Sequence, residues 1–273
     1  MGSCDPSSLP SRMVVASRRT SHGVLSLIKK FLAAVALSLS FLTPAVALDK
    51  SELPKAEQQM FLPVVQLGEF CSGSVIYSNR DQKSGEVTTY ILTAKHCTDK
   101  IDQKIQVNVP VYTDGKKLDF HSYRATVKGR HYKSDTAVLK IDNTDTLFEN
   151  VVNLGTRDEI LTFGEDVWTV GYPLGMSRTV TEGMLGNREP VPTLGPSEFQ
   201  RATPDIGPGS SGGALFKKNW KGDFVQIGLT TGGARGFPFF GIYTPLEDIH
   251  DALKVIAPEV VGAEVKRYTP ASN

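Results

Sequence analysis

Three residues distant in the sequence have the types and neighbours that acyl transfer requires. The run Gly207-Pro-Gly-Ser-Ser-Gly-Gly213 enters the apolar, strand-like Ala214-Leu-Phe216. Alone, such a run marks a loop, but one that feeds a strand is a tight turn and not a linker. Glycines at 209, 212 and 213 let the backbone open and let a second segment approach closely. A turn of this kind aims the N–H groups of Gly209 and Ser211 at one spot, as an oxyanion hole requires. The Ser211 hydroxyl becomes a nucleophile only beside a base. Beyond residue 47 the histidines are His96, His121, His131 and His250. His250 reads as a surface residue of a C-terminal helix, and His121 and His131 lie in polar stretches with no special surroundings. His96 ends the strand-like Tyr90-Ile-Leu-Thr-Ala-Lys-His-Cys97. An imidazole base needs a carboxylate to fix its tautomer and stabilise its cation. Asp135 precedes the apolar Thr136-Ala-Val-Leu139, whereas Asp119 and Asp142 have no such run behind them. Taken singly, each residue has a plain reading: a loop serine, a histidine at a strand terminus, a strand-capping aspartate.

The elements that must position them are short. Val-, Ile-, Thr-, Tyr- and Phe-rich runs recur at 73–77, 87–93, 105–112, 136–141, 166–170 and 224–229, punctuated by Gly, Asn, Asp and Pro. Many short strands at close spacing indicate an all-β sandwich or barrel. A polar, turn-rich stretch from Asp142 to Arg157 divides two strand-rich blocks of similar size. The clearest helix is C-terminal, with Thr244 as N-cap, Pro245 at its first position and Glu247 and Asp248 in its first turn. Leu246, Ile249, Leu253 and Ile256 follow at helical spacing.

The 273 residues are 40% hydrophobic and 22% charged, an ordinary globular composition. Thirty basic and 29 acidic residues leave a net charge of +1, which argues against nucleic-acid binding through a basic surface. Arg12, Arg18, Arg19, Lys29 and Lys30 precede an apolar run from Phe31 to Leu42, a Thr43-Pro44 break and Ala45-Val46-Ala47. These are the parts of a secretory signal peptide, with an uncleaved inner-membrane anchor as the alternative and Met13 as an alternative start. Cleavage after Ala47 removes five basic residues and one acid, leaving 25 and 28 and a net charge of −3. Cys71 and Cys97 then remain, and an even pair in an exported chain reads as one disulfide, with two buried thiols as the alternative.

Together, Cys71-Ser-Gly-Ser-Val-Ile76, Leu92-Thr-Ala-Lys-His-Cys97, Asp135-Thr-Ala-Val-Leu139 and Gly209-Ser-Ser-Gly-Gly213 resemble the chymotrypsin/trypsin-like serine proteases. The order His, Asp, Ser is that family's. The resemblance runs from about Phe70 to about Leu253. It implies an all-β fold of two perpendicular six-stranded barrels with a C-terminal helix. The implied divisions are a signal peptide at 1–47, a first barrel at 48–153 carrying His96 and Asp135, a second at 154–256 carrying Ser211 and the helix, and a tail at 257–273. The implied activity is hydrolysis of polypeptides without metal or cofactor, by a chain read as a periplasmic or extracellular monomer, free of nucleic acid and of stable membrane contact once the signal is cleaved.

Val170-Gly-Tyr-Pro-Leu-Gly175 with Thr179-Val-Thr-Glu-Gly183, and Ile206-Gly-Pro-Gly-Ser-Ser-Gly-Gly-Ala-Leu215, are similar to segments of the HtrA/Deg branch, although no PDZ domain is recognised after the helix. Ser210 stands where zymogen-activated members carry an acid, so activation by N-terminal trimming is not expected. Asp205 lies six residues before Ser211, the spacing of the acid at the base of the trypsin S1 pocket. Thr230-Thr-Gly232 and Gly241 resemble that pocket's walls. Cleavage after Lys or Arg is therefore expected, through a charge-assisted bond to Asp205. The alternatives are an HtrA-like protease cutting after small aliphatic residues, favoured if Asp205 faces away from the pocket, and a protease-shaped binding protein without turnover.

Overall fold

A computed structural model describes residues 53–99, 104–113, 117–194, 197–233 and 239–261. The segment read as a signal peptide lies outside the described residues, and so does the end of the tail. Among the described residues no helix is long and apolar enough to cross a membrane.

Twelve strands close into two antiparallel barrels. The first contains β1 (Val64–Leu67), β2 (Cys71–Arg80), β3 (Val87–Thr93), β4 (Ile105–Thr113), β5 (Lys117–Arg130) and β6 (Ala137–Ile141), in the order β1-β2-β3-β6-β5-β4. The second contains β7 (Asp166–Gly171), β8 (Thr179–Pro190), β9 (Glu198–Ala202), β10 (Ala214–Lys218), β11 (Phe224–Gly233) and β12 (Gly241–Pro245), in the order β10-β11-β12-β9-β8-β7. Each barrel fills with inward-facing aliphatic and aromatic side chains. Val65, Val75, Ile91, Val107 and Leu139 form the first core, and Val167, Leu185, Leu215, Ile227 and Tyr243 the second. Burying one such side chain contributes about 1.5–3 kcal/mol.

The strand runs read from composition all fall on strands. The strands it did not reveal are of two kinds: β1, β9 and β12 are buried but only four or five residues long, and β5 and β8 are long with little to bury. β5 is 14 residues long and alternates polar side chains with Tyr123, Ala125 and Val127. Along β8 only Leu185 is buried.

The polar divide occupies the connection between β6 and β7, and it is bonded to both barrels. Val152 N–H donates to Val75 O (2.9 Å), Gln226 N–H to Asn153 O (2.7 Å) and Gly155 N–H to Gln226 O (2.9 Å). Ser74 Oγ of β2 donates directly to Gln226 Oε1 of β11 at 2.9 Å. Helix α1 (Leu53–Ala56) leads into a π-helical turn, Glu57–Phe61, and helix α2 (Leu246–Ile256) follows β12.

The start of α2 differs from the expectation. Pro245 is the cap, in extended conformation, and Thr244 is the fourth residue of β12, its hydroxyl paired with Thr231 Oγ1. Sheet pairing of β12 with β11 takes precedence over local capping. His250 also corrects its reading as a surface residue. It is 4% exposed, and its Nε2–H donates to Gly155 O at 2.7 Å. His131 is likewise buried, against Ser134 Oγ at 2.7 Å. Residues 258–261 add a helical turn where the sequence shows little pattern.

Candidate active site

β3 ends at Thr93, and its chain turns through a 3₁₀ turn, Lys95–Cys97, which carries His96 beyond the strand proper. Asp135 sits in the turn between β5 and β6, two residues before β6 begins. Because β3 and β6 pair directly, Thr93 opposite Ala137, the two turns meet at one barrel end. There Asp135 holds the histidine twice. Its Oδ2 lies 2.8 Å from His96 Nδ1, and its Oδ1 accepts the His96 backbone N–H at 3.0 Å. The ring contact places the proton on Nδ1 and leaves Nε2 as acceptor. The hydrogen bond to Asp135 raises the His96 pKa, and partial burial opposes that rise.

Ser211 lies in the loop between β9 and β10. No hydrogen bond joins its Oγ to His96 among the described residues. The loop is nevertheless seated against the strand end leading to His96. Gly212, at φ +81°, is packed so that a Cβ there would collide with Ser72 O and Thr93 Oγ1. Gly212 N–H donates to Thr230 O (2.7 Å) and Thr230 N–H to Gly213 O (2.8 Å), so β11 grips the loop on its other side.

The two amides expected to form an anion hole have defined directions. In a trans peptide the N–H points opposite to the carbonyl of the preceding residue. Pro208 O accepts Leu174 N–H, which turns Gly209 N–H away from the 173–175 turn. Ser210 O accepts Gly213 N–H at 2.8 Å, which fixes Ser211 N–H in the same way. Neither Gly209 N–H nor Ser211 N–H is spent on a partner among the described residues. Gly209 sits at φ +99°, a conformation that glycine adopts without strain.

The Cys71–Cys97 disulfide ties the first residue of β2 to the residue after His96, with Cα atoms 6.2 Å apart. The reading of an oxidised pair holds in the structure.

The residues assigned to a substrate pocket fall in two places. Asp205 is exposed, and its carbonyl accepts Thr181 Oγ1 at 2.6 Å. It lines a cleft of about 200 Å³ with Ile206, Thr169, Thr181, Pro208 and Ser210. Thr230, Gly232 and Gly241 do not line that cleft; they lie on β11 and β12, where Gly232 pairs with Ile242 and Gly233 with Gly241. Space above Gly232 is open, whereas the Tyr243 ring covers Gly241. Ile206 reaches towards this strand pair, 3.2 Å from where a Gly233 Cβ would sit. Sequence reasoning passed over Ser72, which touches the Ser211 loop; beside Gly73 and Ser74 on β2 its small polar side chain gave no distinguishing signal.

Residues 71–225, more than half of the chain, match the model of the trypsin-like peptidase domain. A probable periplasmic serine endoprotease, DegP-like, from Hahella chejuensis is 35% identical over 155 residues, covering 55% of this chain and 30% of that protein. The serine protease PepD of Mycobacterium tuberculosis is 34% identical over 132 residues, 45% of this chain and 26% of PepD. The chain thus spans less than a third of these relatives. Among solved structures, an HtrA-type protease, AlgW, with a serine-to-alanine substitution and a tripeptide, superposes with a TM-score of 0.57 at 24% identity, covering 76% of this chain and 63% of that one. The M. tuberculosis protein Rv3671c, in an inactive serine-to-alanine form, gives 0.54 at 18% identity, covering 79% and 94%. The two structural likenesses establish the double barrel, and the sequence match across both barrels establishes that the chain belongs to the trypsin-like peptidase domain family.

Proposed function

We propose that the chain is an exported serine endopeptidase acting through Ser211, His96 and Asp135. The observation that carries this reading is the double hold of Asp135 on His96, beside a loop whose Gly209 and Ser211 amides have no partner among the described residues. Ser211 Oγ attacks the peptide carbonyl carbon while His96 Nε2 takes its proton. The carbonyl oxygen becomes an oxyanion between the two amides. His96 returns the proton to the leaving nitrogen, the C–N bond breaks, and an acyl-Ser211 ester remains. Water, deprotonated by His96, then hydrolyses the ester. Asp135 stays ionised and stabilises the transient imidazolium. The DegP-like relatives are periplasmic by name, which supports a cell-envelope location and polypeptide substrates for this chain.

For the residue before the scissile bond, Asp205 supports Lys or Arg by its spacing. A second reading has its own support. Asp205 and Ile206 both line a cleft that Thr230, Gly232 and Gly241 do not, so the cleft has an apolar wall beside the exposed acid, and Ile206 alone also reaches Gly233 on β11. That placement favours cleavage after small aliphatic residues.

One experiment tests both levels. Residues 48–273 and their Ser211→Ala variant are treated with a fluorophosphonate probe and, separately, with an unfolded protein mixture whose cleavage sites are mapped by mass spectrometry. Labelling and cuts that vanish in the variant support the triad. Cuts after Val, Ala or Ile assign the pocket to Ile206, and cuts after Lys or Arg assign it to Asp205. A folded protein that neither labels nor cuts overturns the enzymatic reading in favour of a binding protein.

A further inference from the structure

Ser72 belongs to β2 of the first barrel and is 0% exposed, yet its polar atoms serve the loop of the second barrel. Its backbone N–H donates to Ser211 O at 2.8 Å. Its Oγ donates to Gly209 O at 2.8 Å and accepts the Tyr172 N–H at 2.8 Å. Its carbonyl accepts Thr93 Oγ1 at 2.8 Å, on the strand that ends just before His96. One residue therefore touches both sides of the nucleophile loop, the start of the turn that pins Pro208, and the strand leading to the histidine.

From this arrangement we infer that the Ser72 side chain is a positioning residue for the anion-binding loop. The inference rests on the protease reading above. The Gly209 peptide is flanked by two carbonyls, and both are held. Leu174 N–H holds Pro208 O, and Ser72 Oγ holds Gly209 O. With both ends fixed, the Gly209 N–H has one direction. Glycine at φ +99° offers little resistance to rotation of its own, so the restraint must come from neighbours. Ser72 Oγ also ties Tyr172 N–H to Gly209 O, which couples the loop to the turn holding Pro208. Without the hydroxyl, Gly209 O and Tyr172 N–H lose a shared buried partner, and the peptide is free to turn its N–H out of the site. Preorganised donors stabilise a developing oxyanion because they need no reorientation at the moment of reaction. Ser72 supplies that preorganisation from the opposite barrel and touches no substrate atom.

The test compares Ser72→Ala and Ser72→Gly with Ser74→Ala as control. Ser74 is also 0% exposed on β2 and also crosses between barrels, but its hydroxyl goes to Gln226 and not to the loop. Rates are expressed per folded molecule, from the fraction folded by circular dichroism. Four quantities are measured: kcat, KM, the fluorophosphonate labelling rate and the affinity for a peptide aldehyde, which forms a tetrahedral adduct. The expected result for both Ser72 variants is a fall in kcat of at least about tenfold, since losing a whole oxyanion donor costs about 10²–10³. KM stays within about twofold, aldehyde affinity falls by the same factor as kcat/KM, and the midpoint of the pH profile does not move. Ser74→Ala retains wild-type kcat. Ser72 variants with wild-type kcat and aldehyde affinity overturn the proposal, and so does a shift of the pH midpoint, which would place the effect on His96. A loss equal to that of Ser74→Ala also overturns it. A wild-type protein that does not label at Ser211 overturns the protease reading and this inference together; a labelled wild type with equally reactive Ser72 variants overturns the inference alone.

Discussion

At the scale of single residues, the proposed mechanism needs one imidazole that is neutral at rest and charged for an instant. Asp135 raises the His96 pKa above the ordinary 6.5. The base form therefore predominates only at a pH higher than an unperturbed histidine requires, and kcat/KM should rise with pH through a correspondingly higher midpoint. Asp135→Asn should lower kcat by about 10⁴-fold, because an amide permits the wrong tautomer; a pH–rate series on both proteins checks this. The same pair has a stability consequence of opposite sense. A folded pKa above the unfolded one stabilises the protein below the unfolded value, and that contribution disappears as pH rises through the folded one. The His96–Asp135 pair thus contributes least in the pH range where the proposed base is competent. Gly212 is the other sharp point. A Gly212→Ala methyl would strike Ser72 O and Thr93 Oγ1 from a left-handed backbone. Activity should fall by at least about tenfold, with a stability loss of about 1–3 kcal/mol, read by urea denaturation.

At the scale of elements, the histidine turn and the nucleophile loop are short and have little core of their own. Cys71–Cys97 closes a sequence separation of 26 and anchors the turn to β2. Removing it as Cys71→Ala/Cys97→Ala should cost about 3 kcal/mol, with kcat falling as the His96 turn loosens; thermal melts and kinetics on the double variant check it. Helix α2 carries its own pH dependence. Burial lowers the His250 pKa, while its bond to Gly155 O partly offsets the shift. A histidine with a depressed folded pKa contributes stability above the ordinary value and loses it as pH falls through the folded one. Stability should therefore decline on acidification below about pH 6.5, and His250→Gln should flatten that decline; denaturation midpoints across pH 4.5–8 compare the two.

At the scale of the molecule, the two barrels share buried polar bonds and a helix. Ser74 meets Gln226 between them, and Val152, Asn153 and Gly155 of the connection bond to β2 or β11. α2 follows the last strand of the second barrel yet seals the first, with Ile256 against Gly129 on β5. Unfolding one barrel would strand these groups without partners, so the two should unfold as one unit. Of the chain's two tryptophans, Trp168 is buried on β7 and Trp220 is exposed in the turn between β10 and β11, so fluorescence follows the second barrel through Trp168. Tryptophan fluorescence and far-ultraviolet circular dichroism should give coincident urea transitions, whereas two separated midpoints would mean independent barrels.

The sequence by itself determined the parts that depend on local chemistry. β-Branched runs marked the longer buried strands, Cys71 and Cys97 read as one disulfide with two buried thiols as the alternative, and Ser211, His96 and Asp135 each stood beside a strand end. Long, half-solvated β5 and β8 escaped because few of their side chains are buried, and burial is what writes a hydrophobic pattern into a sequence. The tertiary structure decided everything that depends on a partner far along the chain. β3 pairing with β6 is what brings Asp135 to His96, 39 residues away. Pairing of β12 with β11 took Thr244 from the helix cap, and packing of α2 buried His250. Ser72 looked like a small polar residue in a strand until closure of two barrels set it against a loop 137 residues distant. Hydrogen bonds are specified by direction and distance in space, and a sequence records only the groups available to make them.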